Sequence, residues 1–471
     1  MTFGYLLIAA ILFSCILADR FSGKFGMPAL ILFMAVGMIF GCDGLFKIQF
    51  DNYGVAEKVC AAALVFIMFY GGFNTKWQSA KCVAVRATIL STLGVLVTAG
   101  LTGVFCYFVL HFSYVESFLI GAVLSSTDAA SVFSILRGKH LNLRDGTASL
   151  LEIESGSNDP MSYLLTMIGI SLLGNADTGN IPLMIFMQLA LGILVGVVVA
   201  LIGIVLLTKT NFIPEGLETI FVIAIVIFSF GLAELIGGNS YLSVYLLGIL
   251  LGNSRIRNKN ILIPFFDGVT GLAQILIFFL LGLLAFPHRM PDIMVPALLI
   301  ALFLTFVARP IAVFGILLPF RCSIRQCLLV SWAGLRGAAS IVFAIMVIAG
   351  GGDISLDLFH IVFMVALLSV AFQGTLIPKV AEKLDMVDNS ADVSKTFNDY
   401  QEESAMTLMR MYIPKGHNWE NHKICEVSIP TGALALMIKR DGDTMIPNGD
   451  TRILAEDSVI LSVPAYESKE D

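Results

Sequence analysis

Charge is scarce in this chain. Only 14% of its 471 residues are Asp, Glu, Lys or Arg, where soluble domains carry about a quarter. Hydrophobic residues make up 57%, and the mean hydropathy is +0.87. That deficit excludes a soluble enzyme. Positive charge is scarcer than negative, with 29 Lys and Arg against 35 Asp and Glu. A net charge of −6 without a basic stripe excludes a nucleic-acid partner. The eight cysteines include no CxxC pair, and Cys15, Cys60, Cys106 and Cys327 sit in or beside apolar runs, so a disulfide framework is not expected. No HExxH occurs, and the one histidine falling within an apolar run, His360, lies near its end, which argues against an intramembrane hydrolase.

What is present is apolar sequence in long runs, with 42 glycines. Such runs are those of membrane-spanning helices, and the partner they imply is a lipid bilayer. The first, from Phe3 to Ala18, has no basic residue ahead of it, so it reads as a retained span rather than a secretory signal. Polar breaks then divide the chain into thirteen spans. They cover about 3–18, 28–41, 55–73, 83–110, 115–136, 149–173, 181–207, 217–236, 240–252, 264–286, 293–318, 326–349 and 355–378.

Loop charge supports that division. With loops alternating sides, sixteen lysines and arginines, from Arg20 and Lys24 to Lys379 and Lys383, fall in one set. Only Lys47, Lys58 and Arg289 fall in the other. Cytoplasmic loops are the ones rich in Lys and Arg. The N-terminus is therefore expected outside and the C-terminus in the cytoplasm of a multi-pass protein of the cytoplasmic (inner) membrane.

After Lys383 the composition changes. The exchange of apolar runs for polar residues divides the chain into a transmembrane domain (1–384), a linker (385–404) and a small α+β domain (405–471). Thr407–Ile413, Ala433–Lys439 and Ser458–Val463 have strand character, and Asp441-Gly442 is a hairpin signal. A module of this size has little core of its own, and pairing across a homodimer would relieve the shortage. His417, His422 and Cys425 lack metal-ligand spacing and read as ordinary loop residues.

The chemistry is concentrated in the spans, where ionisable groups are costly and mark function by default. Four stand out: Asp128 in Ser125-Ser126-Thr127-Asp128, Glu154 and Asp159 in Glu154-Ser155-Gly156-Ser157-Asn158-Asp159-Pro160, and Arg336 in Gly334-Leu335-Arg336-Gly337. Glu154 and Arg336 are expected to neutralise each other across two helices, since arginine cannot cycle a proton. Asp159 differs, because a carboxylate can hold a hard cation or a proton. Ser155 and Asp159 are four apart and share a helix face, Asn158 offers an amide beside them, and Gly156 and Pro160 loosen the local backbone. Polar runs in the middle of the fifth and twelfth spans read as broken helices, the usual makings of a transporter ion site. Asp128-Ala129-Ala130-Ser131 and Gly337-Ala338-Ala339-Ser340 echo each other seven spans apart, the odd separation that an inverted repeat requires.

These three segments, in this order and with Trp332-Ala333 preceding the last, closely resemble the cation/proton antiporter 1 family of bacterial sodium/proton and potassium/proton exchangers. The resemblance covers residues 1–380. It implies thirteen helices with inverted repeats and crossed broken helices, a six-helix core formed by spans four to six and eleven to thirteen, and a dimerisation half. It implies Asp159 as the ion- and proton-binding carboxylate, a monovalent cation held at Asp159, Ser155 and Thr127, Asp128 and Thr127 at the crossing, and Glu154 bridged to Arg336. Many relatives carry an acid just before the Gly-Gly of the third span, where this chain has Tyr70. The tail, with Ile438-Lys439-Arg440-Asp441-Gly442, resembles the TrkA-C domain of regulators of potassium conductance. That resemblance implies a small regulatory ligand such as a nucleotide, with Lys439 and Arg440 as candidate phosphate contacts. No GxGxxG accompanies it, so NAD control is not supported.

The function expected is exchange of potassium or sodium for protons by competition at a buried Asp159, with no resident cofactor. In the resembled superfamily, Asn158 in place of an acid is associated with electroneutral one-for-one exchange. A ligand-gated cation channel, or a sensor that does not exchange, would use the same polar core and differ in lacking coupling to pH.

Overall fold

The computed structural model describes residues 2–25, 28–138, 141, 143–174, 180–209, 213–214, 216–256, 258–351, 354–388, 406–427, 429, 433–440 and 443–464. The chain forms two compact units, Met1–Ala391 and Asp392–Asp471.

The first unit is helical. Its main helices are α1 (Thr2–Phe25), α2 (Ala29–Phe40), α3 (Tyr53–Asn74), α4 (Ala84–Val109), α5 (Tyr114–Val123), α6 (Ala129–Gly138), α7 (Thr147–Leu173), α8 (Ile181–Thr208), α9 (Glu218–Leu235), α10 (Ser240–Gly252), α11 (Lys259–Leu284), α12 (Pro287–Phe320), α13 (Ile324–Trp332), α14 (Ala338–Ala349) and α15 (Leu358–Lys383). Several begin where a short polar side chain takes an orphan backbone N–H. Asn52, Asn239, Ser323 and Asp357 cap α3, α10, α13 and α15, and Ser113 forms a reciprocal capping box with Glu116 at α5. Among the described residues eight helices are long and apolar enough to cross a membrane, with four shorter apolar ones. The count of thirteen spans is thus not fixed by length and apolarity alone. Helix α7, with 27 residues, is long enough but falls outside the apolar set, and it carries Glu152, Glu154 and Asp159.

Two expected spans are broken in the middle. The fifth divides into α5 and α6 around Ser125-Ser126-Thr127, and the twelfth into α13 and α14 around Gly334-Leu335-Arg336. The two extended breaks touch: the Asp128 N–H donates to Leu335 O at 2.8 Å. Both helices restart at Ala-Ala-Ser, the echoed sequence. Gly337 makes the crossing possible, because a Cβ there would sit 2.3 Å from Asp128 Oδ2 and 2.4 Å from its Cβ.

Among the described residues three helices contain a π-helical segment: Leu90–Gly94 in α4, Leu304–Ala308 in α12 and Ser369–Gly374 in α15. Each inserts an extra residue into a turn and rotates the helix beyond it, a feature frequent at functional sites. The second segment immediately precedes Arg309, and the third carries Ser369 and Gln373.

The expected linker starts late. Residues 385–387 belong to the first unit: Met386 is buried, Arg144 N donates to Met386 O at 2.9 Å, and Leu143 bridges Val387. Asp385 accepts from Arg144 at 3.1 Å and Arg325 at 3.2 Å. Residues 389–404 lie outside the described residues.

The second unit contains a four-stranded antiparallel sheet of order β1-β4-β2-β3, with β1 Met406–Tyr412, β2 Leu434–Arg440, β3 Asp443–Met445 and β4 Ser458–Pro464. Three of these match the expected strands to within one residue at either end. Arg440 pairs with Asp443 across the expected hairpin, whose Asp441 and Gly442 lie outside the described residues. Ile413, Ile438, Ile453, Val459 and Leu461 form the core.

Candidate ion-binding site

Helix α7 presents its polar side to the break between α5 and α6. Asp159 is buried, 5% exposed, and accepts a short hydrogen bond from Ser126 Oγ. Ser155 Oγ donates to Thr127 O at 2.7 Å. Asn158 braces the same segment: its Nδ2 donates to Thr127 Oγ1 at 2.6 Å and to Glu154 Oε1 at 3.1 Å, and its Oδ1 accepts from Thr127 N at 3.4 Å. One turn further, Ser162 Oγ donates to Ala122 O at 2.6 Å. These bonds satisfy backbone groups that the broken helix leaves unpaired, the condition for irregular backbone at membrane depth. The helix itself is continuous through Pro160, whose carbonyl accepts from Asn239 Nδ2 at 2.8 Å. Gly156 admits the Tyr245 ring, since a Cβ there would lie 2.4 Å from Tyr245 Cε2.

Asp128 caps α6. It accepts from Ser131 N at 3.2 Å and also from Ser131 Oγ. All five residues expected at the ion site, Thr127, Asp128, Ser155, Asn158 and Asp159, therefore fall at the crossing or on the helix against it. Ser126 joins them as the direct partner of Asp159, a residue that the sequence offered only as part of a polar run.

The expected Glu154–Arg336 pair is not formed. Glu154 instead receives Arg309, with Nη1 to Oε1 and Nη2 to Oε2 both at 2.9 Å and both side chains almost fully buried. Arg336 turns to the break: its Nη1 donates to Ser126 O at 2.7 Å and Ser125 O at 3.1 Å, while its backbone N donates to Ser369 Oγ at 3.1 Å. The physical reason is the unpaired carbonyls at the C-terminal end of α5, which attract a cation through both hydrogen bonding and the helix dipole. Arg309 was missed in the sequence, although a lone arginine inside the apolar run 293–318 is the same kind of signal that marked Arg336. Gly334 lets it through, because a Cβ there would lie 2.7 Å from Arg309 Nε. Between the two arginines lies a void of about 10 Å³ that Thr305, Ser369 and Gln373 also line.

The replacement at Tyr70 acquires a context. Its hydroxyl donates to Asp267 Oδ1 on α11 at 2.9 Å.

In the tail domain, Arg440 is committed to a structural role that its expected phosphate contact did not include. Its Nε and Nη2 donate to Asp457 at 2.8 and 2.7 Å, and Nη2 also reaches Arg452 O at 2.9 Å. Burial alone raises the Asp457 carboxyl, but the Arg440 bonds, the Leu454 N–H and the Arg440 charge outweigh it and hold the group below the usual carboxylate range. Lys439 is exposed on β2. Among the described residues no cluster of His, Cys, Asp and Glu has the makings of a metal site, His417, His422 and Cys425 included.

Residues 8–383 match the family described as sodium/hydrogen exchanger, transmembrane, and residues 408–465 match the TrkA-C domain. Over 465 residues the chain is 34% identical to a protein named K(+)/H(+) antiporter NhaP2 from Shewanella sp. (strain MR-4), covering 96% of this chain and 80% of that one. Over 361 residues it is 28% identical to Na(+)/H(+) antiporter 1 of Methanocaldococcus jannaschii, covering 74% and 83%. The solved structure of the sodium proton antiporter MjNhaP1 from that organism superposes with a TM-score of 0.70 at 23% identity, covering 81% of this chain and 99% of that one. That likeness speaks to the fold.

Proposed function

Because the chain belongs to the sodium/hydrogen exchanger family, we propose that it exchanges a monovalent cation, potassium or sodium, for protons by competition at Asp159. The observation that carries the reading is the unequal treatment of two carboxylates on α7. Glu154 is neutralised by a fixed arginine, whereas Asp159, five residues on, has only the Ser126 hydroxyl as a hydrogen-bond partner and forms no ion pair among the described residues. A buried carboxylate without a fixed counter-charge takes up a cation or a proton, and each displaces the other. The cation is held by Asp159 with oxygens from Thr127, Ser155 and Asp128, all at the crossing. Asn158 occupies the adjacent position without a charge, which favours one-for-one electroneutral exchange. The membrane potential, about 2.3 kcal/mol per charge per 100 mV, then drops out of the driving force. Relatives named K(+)/H(+) antiporters match nearly the whole chain, tail included, which favours potassium.

The asymmetry of loop charge supports a cytoplasmic membrane location with the N-terminus outside and the tail in the cytoplasm. The transporter works as a homodimer, and the TrkA-C domain biases it through a small ligand that binds the active and inactive arrangements unequally. The test is proton flux in proteoliposomes loaded with a pH indicator. A potassium or sodium step moves protons in the opposite direction, and an imposed diffusion potential leaves the rate unchanged. Cation flux with no proton movement would indicate a channel and sink the proposal.

A further inference from the structure

We infer that Asp267, oriented by Tyr70, is the carboxylate that recruits the cation at the cytoplasmic entrance of the path to Asp159. This inference rests on the exchange reading above and names a residue that sets the affinity for its substrate.

Asp267 is an acid in a largely apolar helix, 8 residues from the Lys259 start of α11. At 1.5 Å per residue that is roughly 12 Å along the helix axis from Lys259, at the end that follows the cationic loop of Arg255 and Lys259. Charged groups within a span persist where they face protein or water. Asp267 is exposed, and among the described residues it forms no ion pair. Its hydrogen-bond donor is a neutral phenol. Tyr70 is itself buried, 8% exposed, and so holds the carboxylate in place without neutralising it.

The helix face it occupies carries, one and two turns on, residues that line a cavity reaching Ser131. Gly271 and Gln274 lie four and seven residues beyond Asp267, on one stripe of the helix. Both line an open cavity of about 220 Å³ that Phe33 of α2, Asp19 of α1 and Ser131 of α6 also line. A Cβ added at Gly271 would meet nothing within 4 Å, so the stripe borders open space there. Ser131, on the wall of the same cavity, hydrogen-bonds Asp128 at the crossing. A cation drawn in by Asp267 thus passes Gln274 and Ser131 and arrives beside Asp128. Tyr70 is the positioning residue of this acid.

Everted membrane vesicles present the cytoplasmic face to added cation. In them Asp267→Asn raises the half-saturating potassium or sodium concentration about five- to tenfold, with the maximal rate within about twofold of wild type. Asp267→Glu restores half-saturation to within about twofold. Tyr70→Phe, which loses one hydrogen bond, raises it about two- to threefold. In right-side-out vesicles all three variants keep the wild-type half-saturation for external cation. An unchanged value for Asp267→Asn in everted vesicles, or an equal shift on both faces, overturns the inference. Where Asp267→Asn fails to accumulate, Tyr70→Phe decides, and the absence of a shift in that variant overturns it equally. Wild-type vesicles without cation-driven proton movement would show instead that the exchange reading itself is wrong, and this inference falls with it.

Discussion

Glu154 and Arg309 form a two-pronged ion pair at 2.9 Å on each prong, buried between α7 and the segment after the α12 π-turn. It sits one turn from Asp159 and fixes the helix on which the ion carboxylate rides. Removing one partner of such a pair strands the other and typically costs ~3–5 kcal/mol. Arg309→Ala therefore lowers the melting temperature of the detergent-solubilised protein more than Asp159→Asn does. The double variant Glu154→Gln with Arg309→Gln recovers part of the loss. Equal melting of Arg309→Ala and wild type would show that the pair does not hold the helices.

Asp159→Asn keeps the shape of the side chain and removes its ability to cycle a proton. Cation-driven pH change in proteoliposomes is lost while the protein still folds, as judged by its thermal transition. Asp159→Glu retains measurable exchange with altered affinity. Wild-type rates in Asp159→Asn would remove Asp159 from the mechanism.

At the crossing, Gly337 has no room for a side chain. Gly337→Ala drives a methyl into Asp128 and forces the backbones apart, an overpacking cost of about 1–3 kcal/mol. Exchange falls at least tenfold even where the protein accumulates, since Asp128 shifts against Ser126 and Thr127. Normal exchange by a folded Gly337→Ala protein would mean that the approach of the two breaks is not needed.

The tail carries a pH dependence of predictable sign. Asp457 is held below its ordinary range in the folded state, so its contribution to stability is full above the unfolded carboxylate pKa of about 4 and is lost as pH falls through the folded value. Hydrogen exchange of residues 406–464 in the full chain should be steady from neutral pH to about 5, after correction for intrinsic rates, and accelerate below about 4. In Arg440→Ala that acceleration begins at higher pH. Identical profiles for the two proteins would show that Arg440 does not stabilise the charged form.

Ending the chain at Asp388 retains Met386 and Val387 on the first unit and removes everything after the described part of that segment. Exchange persists, because every proposed ligand precedes the cut, but its response to cytoplasmic conditions changes. A truncated protein that folds and dimerises yet transports nothing would make the tail part of the transport machinery.

Much of this was legible in the sequence. The breaks at Ser125–Thr127 and Gly334–Arg336 were visible because polar and glycine residues interrupt apolar runs, and the penalty for unpaired backbone in a membrane makes such interruptions purposeful. The placement of Thr127, Asp128, Ser155, Asn158 and Asp159 came from spacing along single helices and from family resemblance. The strands of the tail announced themselves through alternation. The partner of Glu154 did not, because two arginines were available and sequence gives no rule for choosing between them.

By itself, then, the sequence determined what is local or priced by the bilayer: which stretches are apolar enough to span, where they break, and which carboxylates are too costly to be accidental. The tertiary structure decided pairings between distant segments. It assigned Arg309 rather than Arg336 to Glu154, because the free carbonyls of Ser125 and Ser126 claim Arg336 once α5 ends beside it. It set Ser126 on Asp159 and Tyr70 on Asp267, contacts across 33 and 197 residues of chain. Hydropathy and helical periodicity constrain one helix at a time. Which faces meet depends on the joint packing of many helices, on glycines such as Gly334 and Gly337 that let segments approach, and on π-turns such as those just before Arg309 and at Ser369–Gly374.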